Sequence, residues 1–354
     1  MSVQGGGVAS STTVSNSVLF VSGRASGTQL TTGTEVVAFK GVDFGATVSA
    51  GSELIVSSGG IANGAIVSGA GELDAGLAVS TSLLGGSWMA VEAGGVASGT
   101  TVSNSLLLVS GTAKQTQLQT GTEIVSSGGL DLGATASAGS RLVVSAGGTA
   151  SGTVVDSSGE LDAGSAASTS LLDGSWIAVA SGGVASDTTV SNSVLFVSGT
   201  ASATQIDSGG TEIVSSGGVE IGAQISGGTL EVTSGGSTSS GAVTFAASGG
   251  GILQLDDSAH FSGLVAGFGQ SDDLIDLRDI AFTSATTVSW TQLTSDATAS
   301  GTLTVSGGGS VANIDLLGQY VVGQFTSASD GHGGTVIGAV DAVVRQEPLA
   351  NPPA

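Results

Sequence analysis

One segment, Gly6-Gly7-Val8-Ala9-Ser10-Ser11-Thr12-Thr13-Val14-Ser15-Asn16-Ser17, returns at Gly94–Ser105 and again at Gly182–Ser193, an offset of 88 residues each time. Other markers keep that offset: Gly45 with Gly133, Glu72-Leu73-Asp74 with Glu160-Leu161-Asp162, and Trp88 with Trp176. The third copy gains one residue near Gly209 and runs to about residue 245. A fixed repeat of this kind constrains a chain severely. One unit cannot bury its own apolar face, so neighbouring units must stack and share a core.

A shorter beat lies inside each large unit. Glycine pairs at 209–210, 217–218, 227–228 and 235–236 are spaced by 8, 10 and 8 residues, which sets one rung at 18 residues. Five rungs then fill an 88-residue unit with a two-residue contraction, placed near Glu160–Gly174. Four residues after many glycine-pair corners stands another glycine: Gly45, Gly64, Gly99, Gly133, Gly152 and Gly222, with Ser11 and Asp187 departing from the rule. Glycine permits bends where a Cβ would clash. Each rung therefore reads as three short strands and three bends, for instance Val219–Ile221, Ala223–Ile225 and Thr229–Val232. Stacking such rungs makes a triangular coil with parallel strand ladders.

The last valine before a corner is the steadiest inward residue: Val56, Val91, Val144, Val179, Val214 and Val232. Period-two alternation sends Leu54, Met89, Leu142, Ile177 and Leu230 inward beside them, and turns Glu53, Arg141 and Glu231 toward water. At about 4.8 Å per rung, 13 or 14 rungs would make a rod roughly 65 Å long. A meander of hairpins is the rival, but it favours Asn-Gly and Asp-Gly turns. The Asp-Gly of the repeat region, Asp173-Gly174, falls on a corner of the beat.

Composition limits the function. Glycine takes 61 of 354 positions, yet hydrophobic residues reach 40% and mean hydropathy is +0.41, too apolar for a disordered linker. Formal charge is −22, with Arg24, Lys40, Lys114, Arg141, Arg278 and Arg345 as the only cations. Nucleic acid and anionic lipid both need clustered Lys and Arg, so neither is an expected partner. Cysteine is absent, which removes disulfides and thiolate metal sites. The longest apolar runs, such as Leu106–Val109, fall far short of the roughly 20 residues of a membrane helix. The N-terminus lacks a basic region followed by an apolar one. Export would need another signal, or the chain would be a fragment of a longer protein.

Segments such as Gly210-Thr211-Glu212-Ile213-Val214-Ser215-Ser216-Gly217-Gly218-Val219-Glu220-Ile221-Gly222-Ala223 resemble the strand-loop-strand repeats of autotransporter passengers, the diffuse-adherence adhesins being the named example. The likeness covers residues 1–245. It implies a right-handed parallel β-helix, an extracellular or bacterial cell-surface location, and a role in adhesion, biofilm or matrix. Family members can carry heptose on repeat serines, and Ser57, Ser58, Ser126, Ser127, Ser215 and Ser216 match those positions. The implied partners are a host or neighbouring cell surface or an extracellular polysaccharide. The first rung offers an unpaired edge for self-association. The family's membrane β-barrel has no counterpart in residues 246–354, which are too few and too poor in aromatics.

Residues 246–340 read as a β-rich cap with a secretion-related character, and 341–354, holding all three prolines, as a flexible tail. Leu253–Asp257, Thr302–Ser306 and Ala312–Leu316 alternate as strands do. Ser271–Ile280 and the turn Ser329–Thr335 resemble the closing segments of β-roll regions in type I secreted proteins.

No catalysis is expected. The alternative is a polysaccharide lyase or epimerase, which needs a positioned base and a cation against a carboxylate. The two histidines, His260 and His332, lie outside the repeats, and no base accompanies the repeat Ser and Thr residues. No cofactor or metal is expected. Asp272, Asp273, Asp276 and Asp279 are the calcium candidates, beside Asp256 and Asp257, but they lack the Gly-Gly-x-Gly-x-Asp spacing. Solvated turn aspartates are the preferred reading. Trp88 and Trp176 alternate with inward residues and are the candidates for carbohydrate contact, against the plainer reading of packing over neighbouring rungs.

Overall fold

The computed structural model describes residues 1–239, 241–294 and 299–340; the expected tail at 341–354 lies outside the described residues. Each coil gives one strand to each of three sheets. The first sheet uses four-residue strands, such as Val18–Val21, Thr34–Val37 and Glu53–Val56. The second uses three-residue strands around a small inward residue, such as Arg24–Ser26 and Val96–Ser98. The third uses strands such as Gln29–Leu30 and Thr101–Ser103. Successive coils pair in parallel on all three: Leu19 with Glu35, Ala25 with Asp43, Leu30 with Val48. The second sheet alone runs to 14 strands. This is a parallel β-solenoid of three faces.

Coil length is less even than the beat implies. First-sheet strands begin at Val18, Thr34, Glu53, Gly71, Trp88 and Leu106, so the coils measure 16, 19, 18, 17 and 18 residues. The contraction is therefore spread over the unit and not confined near Glu160–Gly174. Corners absorb the difference while strands hold register. Ser22-Gly23 suffice to join Val18–Val21 to Arg24–Ser26, whereas Ala38–Gly41 join Thr34–Val37 to Val42–Phe44.

The two glycines of a corner do different work. The first takes a left-handed conformation, as at Gly128 (φ +79°). The second sits against the coil beneath: a Cβ on Gly129 would lie 2.1 Å from the Val109 carbonyl oxygen, and one on Gly218 would lie 2.2 Å from that of Val197. The later bend is also left-handed. Ser11 (φ +50°) and Asp187 (φ +52°) adopt it without being glycine, which short polar side chains tolerate.

Inside the prism, Leu or Ile precedes Val on the first sheet, Ala lines the second, and Val or Leu lines the third. Glu53, Arg141 and Glu231 point outward as the alternation requires. The same alternation also turns acids inward, against the expectation that carboxylates stay wet. Glu35, Glu72, Glu123, Glu160 and Glu212 stand where leucine stands in adjacent coils. Asp74 and Asp162 take valine positions, while Asp43, Asp131 and Glu220 lie on the second sheet. All ten are fully buried.

The parallel ladder does not stop at residue 245. Gly251–Leu255 and then Asp273–Leu277 continue the first sheet; Leu264–Ala266 and then Ser310–Leu317 continue the third. Antiparallel structure follows. Thr287–Gln292, Ser300–Gly307 and Ser310–Leu317 form a meander. A hairpin, Phe325–Ser329 with Thr335–Ala339, lays its second strand antiparallel on Asp273–Leu277. Phe245, Phe268, Trp290, Tyr320 and Phe325 pack ring against ring at this end.

The corner geometry predicts unequal costs for two neighbouring substitutions. Gly129→Ala forces a carbonyl contact and should destabilise the chain by about 2–3 kcal/mol. Gly133→Ala, left-handed but facing open space, should cost about 1 kcal/mol from backbone strain alone. Urea denaturation of the full chain measures both, and equal costs would contradict this account.

Candidate functional site

The broadest distinctive surface is the outer side of the first sheet. The third residue of each strand points outward, and register stacks these residues in one row: Phe20, Val36, Ile55, Leu73, Ala90 and Leu108. The row continues through Ile124, Val143, Leu161, Ala178, Phe196 and Ile213. Twelve consecutive coils thus carry an apolar residue there, a ridge about 50 Å long at the usual strand spacing. Phe20 is 50% exposed and Phe196 42%. From Val18 to Ile213, outward charge on this sheet is confined to Glu53 and Arg141. On a chain of net charge −22, so neutral a face is a contact surface in physical terms. The sequence carried this signal at every third strand position, but attention to the inward valines passed over it.

Trp88 and Trp176 lie on this face, 36% and 38% exposed. Their indoles rest on the preceding coil: a Cβ added to Gly71 or Gly159 would strike the ring atoms at 2.3 Å. Glycine at those two positions is what allows the rings to lie flat. Packing over a neighbouring rung is therefore part of their role, and one side of each ring stays available. Trp176 and Arg141 flank a shallow groove of about 310 Å³, floored by Gly139, Gly159 and Gly174, with Ser157 at its side. The equivalent position of Arg141 one unit earlier is Glu53, so the two tryptophans have different charged neighbours.

The calcium candidates are not gathered. Asp273 Oδ2 accepts the backbone N–H groups of Gly269 (2.8 Å) and Gln270 (2.7 Å). Asp276 pairs with Arg278 at 2.9 Å. Asp279 accepts both the backbone N–H (3.0 Å) and the hydroxyl (2.6 Å) of Ser258. Asp272 is exposed. Among the described residues no three metal-ligating acids, histidines or cysteines come together.

His260 is exposed and bonds through Nδ1 to Asp257 Oδ1 at 2.7 Å. Asp257 and His260 help to line a groove of about 330 Å³ with Ser234, Thr238 and Phe261. Neither Lys nor Arg lines it, so the cation that a lyase would set against a substrate carboxylate is missing from this groove. His332 sits in the hairpin turn, where its backbone N–H donates to Asp330 Oδ1 at 2.7 Å.

Among solved structures the chain is similar to a fragment of TibA that is hyper-glycosylated by TibC catalysis. The match has a TM-score of 0.66 and 29% identity, covering 72% of this chain and 99% of that one. Fold and comparison together define a β-solenoid repeat protein with a glycosylated neighbour. No protein-family model matches, and no curated protein matches either. Among the described residues no helix is long and apolar enough to cross a membrane.

The hydrogen bond from Asp257 raises the His260 pKa above the ordinary histidine value. The bond should weaken as pH rises through that raised value. Asp257→Asn should return the imidazole to ordinary titration, followed by its NMR chemical shift against pH. An unchanged midpoint would show that the pair does not form in solution.

Proposed function

We propose that this chain is a non-catalytic adhesive rod, working outside the cell or on its surface. The observation that carries this reading is the uncharged apolar ridge from Phe20 to Ile213. A long row of equivalent weak contacts gives affinity by multiplicity, with no need for a deep pocket. The likeness to a TibA fragment supports a rod that works through its surface. The partner fitting this face is a cell-surface or matrix polysaccharide, whose sugar rings stack on flat aromatic and aliphatic ground. Trp176 with Arg141 would take an anionic sugar; Trp88, with Glu53 in the corresponding place, would take a neutral one.

The hyper-glycosylation named for the TibA fragment suggests a further feature of this chain. Ser58, Ser127 and Ser216 stand exposed at successive corners, just before a glycine pair. They form accessible acceptors along one edge of the rod.

The test is adhesion by purified protein. Replacing Phe20, Trp88, Trp176 and Phe196 together by Ser should reduce binding to polysaccharide-coated or cell-coated surfaces at least about tenfold, as loss of multivalent contact implies. Outward positions leave the core intact, so the thermal midpoint should stay near that of the parent. Undiminished adhesion would refute the assignment of this face. Turnover of a glycan by the parent protein would refute the non-catalytic reading.

A further inference from the structure

The ten interior carboxyls serve nothing in the adhesive reading, and their arrangement is regular. Glu35, Asp43, Glu72 and Asp74 recur 88 residues later as Glu123, Asp131, Glu160 and Asp162. Glu212 and Glu220 stand one further unit along, shifted by the single inserted residue. The result is two four-carboxyl clusters and a final pair, each enclosed by apolar coils. Above and below the glutamates stand Leu19, Leu54, Met89, Leu107, Leu142, Ile177, Leu195 and Leu230.

What faces these groups decides their state. From the first sheet they meet one another, as Glu72 meets Asp74. From the second sheet they meet Asp43, Asp131 and Glu220. From the bends they meet threonine: the Thr28 hydroxyl lies 3.4 Å from both Glu35 Oε1 and Asp43 Oδ1, and that of Thr204 lies 3.3 Å from Glu220 Oε2. The aspartates accept single backbone bonds from Ala46, Gly76, Ala134 and Gly164. Both carboxylate oxygens of Glu72, Glu123, Glu160 and Glu212 have no hydrogen-bond partner. Arg24, Lys40, Lys114 and Arg141 all lie on the exterior.

A buried carboxylate with no countercharge costs several kcal/mol, and a domain of ordinary stability holds only about 5–15 kcal/mol in total. Ten such anions cannot coexist in one folded chain. We infer that the interior carboxyl clusters are proton-binding sites, filled as the chain coils, so that the rod assembles and holds in acid and loosens as the medium turns alkaline. A protonated carboxyl becomes a donor as well as an acceptor, which lets paired acids satisfy one another across adjacent faces.

The titration directions agree. Burial first, and then the neighbouring acid, pushes Glu35, Glu72 and Glu160 up to about 8. Burial also raises Asp74 and Asp131 to about 7, and Asp43 and Asp162 to about 6. Glu123 and Glu212 are pushed well above the ordinary value, and Glu220 is raised. A folded-state value above the unfolded one means that folding takes up protons. The stabilisation is complete below pH about 4, where both states are protonated, and is lost as pH rises through 6 to 8. Asp43 also acts on Glu72, and Asp131 on Glu160, so each cluster titrates as a unit.

Chemical denaturation of the full chain from pH 4 to pH 9 tests this. Each proton taken up lowers the folding constant about tenfold per pH unit, so stability should fall steeply across pH 5–8. The double variant Glu72→Gln with Asp74→Asn should flatten that slope by about two protons. Infrared spectroscopy of the unmodified protein at pH 7 should show the carbonyl band of protonated, buried carboxyl groups, which needs no variant to fold. Stability that is level or rises with pH would overturn the inference. So would absence of the protonated band, or stoichiometric metal found by elemental analysis, which would make these clusters cation sites.

Discussion

The whole molecule rests on how closely one coil can lie upon the next. Strand ladders fix that spacing near 4.8 Å, and the corners must comply. At Gly60, Gly95, Gly129, Gly183 and Gly218 a Cβ would come within 2.1–2.4 Å of a carbonyl oxygen on the coil beneath. Glycine there sets the stacking distance and not merely the bend. Once this contact is met at every corner, the interior is defined as a narrow three-sided column, and the exterior as three ribbed faces. Chain length between corners is then free to vary by a few residues without disturbing register.

Much of this was legible in the sequence, because the signals were local and periodic. Glycine pairs marked corners, and the inward valines and leucines of the first sheet alternate as period two requires. The tryptophans fall outside, on the ridge. The interior acids were not read, although the same alternation places Glu72 and Glu160 inward as firmly as Leu54 and Leu142. Charge and periodicity disagree at those positions, and in an isolated strand charge would prevail. Their recurrence at the full repeat offset was the available clue, since a solvated residue has no need to recur with the core. The end of the solenoid was also misplaced, because the two further coils are padded with longer corners that hide the beat. The calcium candidates were a run of sequence neighbours, and alternation along Asp273–Leu277 sends them in different directions.

The two unusual features of the molecule complement each other. Turning acids inward empties the outer side of the first sheet of most of its charge, and an apolar ridge can then run unbroken over twelve coils. The acidity that remains outside lies on the other faces and the cap, which keeps the rod soluble while one side stays adhesive. The alternation of a four-residue strand thus settles core and contact surface in a single choice of register.

The aromatic cluster at the C-terminal end is the one place where side chains from segments far apart in sequence interlock. Elsewhere a coil touches only the coils before and after it. Under a pulling load such a column gives way one turn at a time, each release lengthening the tether without breaking the rest. The knot of rings built by Phe245, Phe268, Trp290, Tyr320 and Phe325 would be the last part to yield, and the natural seed from which slackened turns wind back.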